Sequence, residues 1–180
     1  TNLGALCFVA RPIAHQLTLG SLLSVTPYGD SRSMIIWGVN PEETWPPHAR
    51  GAHITREKGG RLIVIDPRVI PSVRKAHVHA RIRPGTDCAL ALGLLHVIIN
   101  ENLYDKAFVE RWTVGFDQLV EHIKPYTPEK VEKITEVPAK TVKTIARIYA
   151  ENTPGAIIAG AALEQCTHGV QTLRAIAVLI

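Results

Sequence analysis

A chain of 180 residues, 46% hydrophobic and 20% charged, is long enough for one domain with a real core and has the composition of a folded protein, which excludes a disordered tract. No apolar run reaches the roughly 18 residues of a membrane span, and no basic flank leads into an apolar segment as a secretory signal does, so no direct membrane insertion is expected and the localisation stays open. The net charge of +4 is modest, and Cys7, Cys88 and Cys166 lie too far apart to build a zinc knuckle, a disulfide framework or an iron–sulfur cluster from this segment alone. The absence of an initiator Met and the uncapped apolar end at Ala175-Ile176-Ala177-Val178-Leu179-Ile180 read as a piece of a longer protein.

In chain order, Ile13 to Leu19 reads as a short helix opened by Pro12 and closed by Gly20. Cys7 stands just before it, where the positive end of the helix dipole favours a thiolate able to bind a metal or act as a nucleophile. A buried, inert cysteine is the alternative. After a loop from Ser24 to Asp30, Ser33-Met34-Ile35-Ile36-Trp37 is a strand, ended by Gly38-Val39-Asn40-Pro41. Gly38 permits close backbone approach and Asn40 offers an amide, which is the composition of a ligand loop and equally of an Asn-Pro turn. Trp45-Pro46-Pro47 opens a helix to about Lys58, and Gly59-Gly60 leads into Arg61-Leu62-Ile63-Val64-Ile65-Asp66-Pro67-Arg68. Its apolar run without polar alternation predicts a strand covered on both faces, as in a parallel sheet, and Pro67 cannot continue the ladder. Asp66 then sits where open α/β sheets bind ligands, and its carboxylate either accepts a ribose diol or caps a turn.

Ala76 to Ile82 alternates with a period of two and puts His77 and His79 on one face, a weak metal pair without a third ligand nearby and otherwise a polar strand face. Arg83-Pro84-Gly85-Thr86-Asp87 is a turn into a helix from Cys88 to Asn100, apolar nearly all round. Thr86 or Asp87 is its natural N-cap; alternatively Asp87 accepts the ring N–H and exocyclic amine of a guanine. Helices are predicted at Asp105 to Trp112, Phe116 to Ile123, from Thr127-Pro128, and at Pro138 to Ala150, then a buried strand at Ala156 to Gly160, a loop to Gly169, and a last helix marked by Val170, Leu173, Ile176 and Ile180. Between Arg61 and Arg83, six basic residues stand against Asp66 alone, which suits a phosphorylated ligand; the shortage of interleaved aromatics argues against nucleic acid.

The expected fold class is therefore α/β, an open, mainly parallel sheet with helices on both faces in a Rossmann-like dinucleotide-binding domain spanning residues 1–180. Three loops, Gly38 to Pro41, Asp66 to Arg68 and Arg83 to Asp87, are expected at one sheet edge. The Gly-x-Gly-x-x-Gly fingerprint is absent, which disfavours an ordinary nicotinamide site.

The order Trp37-Gly38-x-Asn40-Pro41, Gly-Gly-x-Leu-Ile-Val-Ile-Asp66-Pro67-Arg68 and Ile82-Arg83-Pro84-Gly85-Thr86-Asp87 followed by Ala-Leu-Ala-Leu-Gly, with Glu101-Asn102-Leu103-Tyr104-Asp105-Lys106-x-Phe108-Val109 and Tyr126-Thr127-Pro128-Glu129, resembles the molybdopterin oxidoreductase family. This is the dimethyl sulfoxide reductase type, which includes formate dehydrogenases, nitrate, polysulfide and arsenate reductases and acetylene hydratase. The resemblance implies a bis(molybdopterin guanine dinucleotide) cofactor carrying molybdenum or tungsten, and a single domain that holds one dinucleotide within a larger multidomain enzyme. It implies that Gly38, Asn40, Glu43 and Thr44 line phosphate and ribose, that Asp66 and Arg68 line the ribose and diphosphate region, that Gly85 belongs to the base loop and that Asp87 meets the guanine. Cys7 falls where the family places the protein ligand to the metal, while Phe8 replaces the histidine that formate dehydrogenases carry next to it. The resemblance further implies a small-molecule substrate, electron-transfer subunits as possible partners of the whole enzyme, an iron–sulfur cluster possible elsewhere in it, a role in reactions such as anaerobic respiration, and inactivity of this segment in isolation. The alternative is a regulatory or structural nucleotide-binding module without redox chemistry.

Overall fold

The computed structural model describes residues 8–22 and 30–180. Cys7 and the greater part of the Ser24 to Asp30 loop lie outside the described residues. The chain runs through helix α1 (Ala10–Leu19), strand β1 (Ser33–Trp37), helices α2 (Pro41–Thr44) and α3 (Pro46–Glu57), strand β2 (Arg61–Ile65), a 3-10 turn at Pro71–Lys75, and strand β3 (Val78–Ala80). Then come helices α4 (Asp87–Asn100), α5 (Lys106–Trp112), α6 (Phe116–Ile123), α7 (Pro128–Thr135) and α8 (Ala139–Glu151), strand β4 (Gly155–Ala159), a 3-10 turn at Ala161–Leu163, and helix α9 (Gly169–Val178).

The four strands form one sheet in the order β3-β2-β1-β4, and each neighbouring pair is parallel. The apolar runs produce this because parallel strands lie between two layers of helix and have no solvent face on which to place polar residues. Alternation decides which layer each side chain meets. Ile35, Trp37, Ile63, Ile65 and Ile157 join Leu90, Leu94, Ile145 and Ile176 in the larger core, formed with α4, α8 and α9. Met34, Ile36, Leu62, Val64, Ala156 and Ile158 form the smaller core with Ala52 of α3 and Ile70. Helices thus cover both faces, as expected from the sequence.

Trp37 stands beside Ile65 on one side and Ala159 on the other, and Ile65 stands beside Ala80. Every strand therefore ends at the same edge. The chain steps outward from β1 to β2 to β3 and then returns to the far side of β1 for β4, so the connections diverge between β1 and β4, the kind of switch point at which α/β sheets form ligand crevices. The two loops that part there touch. Gly160 N–H donates to the Trp37 carbonyl at 2.9 Å, and a Cβ on Gly160 would lie 2.0 Å from the Gly38 carbonyl oxygen. Gly38 has φ +61°, a left-handed conformation that costs a glycine nothing and a residue with a Cβ a good deal.

The structure differs from the sequence reading at several element ends. The Gly38 to Pro41 loop ends one residue early, because Pro41 already starts α2, a place where proline's fixed φ and missing N–H cost nothing. The strand at Ala76 to Ile82 shortens to Val78–Ala80. Thr86, not Asp87, occupies the N-cap of α4, without a side-chain bond to the helix, and donates its hydroxyl to the Arg83 carbonyl instead.

Gly160→Ala tests the contact between the two loops. The clash is with backbone, so no side chain can rotate away, and the two strand ends must separate. The expected result in the full-length protein is a lower thermal midpoint and lower soluble yield, corresponding to about 1–3 kcal/mol or more for overpacking; an unchanged midpoint contradicts the close approach.

Candidate functional site at the carboxyl edge of the sheet

Asp66 leaves β2 with only 2% of its surface exposed. It does cap its turn: Oδ1 accepts the Arg68 N–H at 2.8 Å and lies 3.3 Å from Arg68 Nε. The Arg68 side chain is otherwise largely exposed and carries its charge on the rim. Turn-capping and ligand-binding are compatible here, because a carboxylate has about four acceptor positions and the described bonds use one oxygen. His79 Nε2 donates to the Asp66 carbonyl at 3.0 Å, which fixes the backbone of the same turn.

Asn40 lies at the start of α2, buried, with its carbonyl accepting from Glu43 N–H and Thr44 N–H and from the Thr44 hydroxyl at 2.8 Å. Its side-chain Oδ1 is buried and has no hydrogen-bond partner. An orphaned acceptor costs about 1–3 kcal/mol in a finished structure, so this oxygen is a place where a ligand hydroxyl or an ordered water belongs. Glu43 and Thr44 are exposed on α2 beside it. Gly85 has φ +80° and open space where a Cβ would stand, which leaves the backbone of the Arg83 to Asp87 turn approachable.

Asp87 is 8% exposed, and its Oδ1 accepts the indole N–H of Trp37 at 2.8 Å. Burial pushes its carboxyl up from the usual carboxylate range; the Trp37 hydrogen bond and the peptide N–H groups of Asp87 and Gly85 pull it back down, and the charge of Asp66 pushes it up again. Two carboxylates thus feel each other along one edge, with Arg68, Arg81 and Arg83 on the loops around them. The edge offers an unpaired amide oxygen, two buried carboxylates and guanidiniums. That set suits hydroxyls, N–H donors and phosphates together, as a dinucleotide presents them.

The other sequence candidates separate from this edge or lose their chemistry. His77 Nδ1 accepts the Leu62 N–H at 3.0 Å, and His79 is held by Asp66, so both rings are occupied by backbone. Among the described residues no group of three or more His, Cys, Asp or Glu is arranged to hold a metal. Cys88 and Cys166 are free thiols, and burial pushes the Cys88 thiol up, away from thiolate. No helix among the described residues is long and apolar enough to cross a membrane.

One feature of the edge is absent from the sequence reading. Arg11 of α1 donates from Nε to Glu164 Oε1 at 2.9 Å and from a terminal nitrogen to the same oxygen at 2.6 Å and to the Ala159 carbonyl at 2.7 Å. The Glu164 side chain is 4% exposed. This pair ties the first helix to the end of β4 across 153 residues, a separation at which no local pattern signals pairing. One turn on, buried His15 is pushed below its usual range by burial and by Arg11, against an opposing pull from Glu164.

The profile of the molybdopterin oxidoreductase family matches residues 12–180. The chain belongs to the molybdopterin oxidoreductase family. It is 35% identical over 176 residues to the probable oxidoreductase YoaE of Bacillus subtilis, covering 97% of this chain and 26% of that protein. It is 39% identical over 143 residues to formate dehydrogenase H of Escherichia coli, covering 79% of this chain and 20% of that one. The solved structure of acetylene hydratase from Pelobacter acetylenicus superposes with a TM-score of 0.93 at 33% identity, covering 98% of this chain and 24% of that chain. The chain thus spans about a quarter or less of the length of these relatives. Family membership implies a pterin cofactor with molybdenum or tungsten, and relatives such as formate dehydrogenase H and the thiosulfate reductase of Salmonella typhimurium are enzymes of small-molecule substrates.

Glu164→Gln keeps the size of the side chain and removes the charge that Arg11 faces. Loss of a charge-assisted hydrogen bond is worth about 1.5–3 kcal/mol, and hydrogen–deuterium exchange should show faster amide exchange across Ala10–Leu19 in the full-length protein. Lys143→Ala, which removes the exposed partner of Glu129, serves as the control and should leave that exchange unchanged.

Proposed function

We propose that this chain is the α/β domain of a molybdenum- or tungsten-dependent oxidoreductase, that residues 1–180 form one domain of a larger multidomain enzyme, and that the domain binds one molybdopterin guanine dinucleotide along the carboxyl edge of its sheet. The observation that carries the reading is the convergence of Asn40, Asp66 and Asp87 on that edge, with the buried Asn40 Oδ1 unpartnered. In this reading Asn40 Oδ1 takes a donor from the ribose or phosphate region, beside Gly38, Glu43 and Thr44. Asp66 accepts ribose hydroxyls through the oxygen its turn leaves free, Arg68 neutralises the diphosphate, and the Gly85 turn lets Asp87 reach the base. When bound, the group supplies a metal capable of two-electron redox change; the protein supplies binding, orientation and electrostatics.

Cys7 enters as the proposed thiolate ligand to that metal, on the family resemblance of its position, and as the one residue of this chain with a catalytic role. A soft thiolate suits a metal already surrounded by sulfur ligands. The remaining coordination, the second dinucleotide and any iron–sulfur cluster belong to parts of the enzyme beyond these residues, so the segment alone should be inactive. Electron-transfer subunits are the proposed partners.

Metal and pterin analysis of the full-length protein tests the reading. Molybdenum or tungsten with pterin and guanine nucleotide is expected; guanine nucleotide without either metal would instead identify a nucleotide-binding module without redox chemistry. Asp87→Ala should lower pterin and guanine content together, because the base loses its charged acceptor at about 1.5–3 kcal/mol per hydrogen bond; unchanged content reduces Asp87 to an internal structural group. Cys7→Ala should retain the dinucleotide and lose turnover, with X-ray absorption showing one metal–sulfur bond fewer. The same coordination number in both proteins would place the ligand elsewhere.

A further inference from the structure

Asp87 does not sit at the edge as a free carboxylate. Its Oδ1 is held by Trp37, the last residue of the central strand, across 50 residues of chain. Trp37 has no exposed surface at all and packs in the larger core, so its ring cannot swing away, and a buried indole N–H needs an acceptor. Any carbonyl would satisfy that need. Here the acceptor is a carboxylate at the first position of α4, oriented by the indole together with the peptide N–H groups of Gly85 and Asp87.

We propose that Trp37 is a positioning residue that sets which base the dinucleotide site accepts, by holding the Asp87 carboxylate in the one orientation from which it meets a guanine edge. The inference rests on the guanine reading of Asp87 and adds what fixes that group. The chemistry turns on protonation. A guanine presents two adjacent donors, the ring N–H and the exocyclic amine, and only an ionised carboxylate accepts both. Cytosine and adenine present one amine beside a ring nitrogen with a lone pair, which suits a protonated carboxyl that accepts with one oxygen and donates with the other. The indole bond favours the ionised form.

The surroundings press the other way. Burial is the largest influence on Asp87 and favours the neutral acid, and the facing charge of Asp66 adds to it; Cys88, next on the helix, is itself a neutral thiol raised by burial. Against them stand the Trp37 N–H and the peptide N–H groups of Gly85 and Asp87. Trp37 is the only side chain among these that favours the carboxylate.

The test uses the full-length protein, incubated over a range of pH and then assayed for retained guanine nucleotide per polypeptide. Because the accepting form is the carboxylate, retention falls as pH drops through the Asp87 titration. In Trp37→Phe that titration moves up, so the pH of half-release should rise by about one unit or more, with guanine retention about two- to fivefold lower than wild type between the two midpoints. Replacing Trp37 by benzothienylalanine, which keeps the shape of the indole without its N–H, should give the same shift and covers the case in which Trp37→Phe fails to fold. A half-release pH equal to wild type in the isostere, or an equal loss at every pH, overturns the proposal and leaves Trp37 a packing residue. Asp87→Asn separates the two levels: it should release guanine at every pH, whereas unchanged retention would mean that Asp87 does not read the base and would overturn both.

Discussion

The architecture depends on one constraint, that β1 is paired in parallel on both sides. Parallel neighbours cannot be joined by a tight turn, so each connection must cross over the sheet through other structure, and each strand must begin at one edge and end at the other. The Asn40, Asp66 and Asp87 loops come from three separate crossovers and are still delivered to the same place. The register of Trp37 beside Ile65 and Ala159 sets how near they come. Hydrophobic burial on both faces holds that register, since a one-residue slip would exchange the residues meeting α4 with those meeting α3.

At this edge, polar groups are buried more deeply than stability alone favours. Asn40 Oδ1 lacks a partner, Asp66 and Asp87 repel each other, and Glu164 is buried against a single arginine. The unpartnered Asn40 Oδ1 and the facing carboxylates cost free energy, whereas Glu164 is answered by two guanidinium N–H bonds from Arg11. Gly38 and Gly160 bring the β1 and β4 loops into backbone contact at the switch point.

Much of this was legible in the sequence, for physical reasons that differ by element. The β1 and β2 runs are unbroken apolar stretches bounded by glycine, aspartate and proline, so their type and ends were plain, and with them the shared edge of Asn40 and Asp66. The apolar perimeter of α4 announced a helix buried on all sides. Alternation in Ala76 to Ile82 continues past the residues that pair in β3, so it overstates the strand; His77 meets Leu62 through its ring as well as its backbone. The roles of Trp37 and of Arg11 with Glu164 were invisible, since both depend on contacts between distant segments that leave no local pattern. For Asp87 the sequence leaves a helix cap and a base acceptor open, and its bond to Trp37 adds a third partner that neither pattern signals.

The central claim is that a guanine dinucleotide lies along the carboxyl edge of this sheet. The most direct measurement is the structure of the full-length protein with its native cofactor. Guanine donors within hydrogen-bonding distance of Asp87, ribose hydroxyls on Asp66 and a ligand donor on Asn40 Oδ1 are expected. A nucleotide bound elsewhere, with these three groups meeting only water or protein, would contradict it.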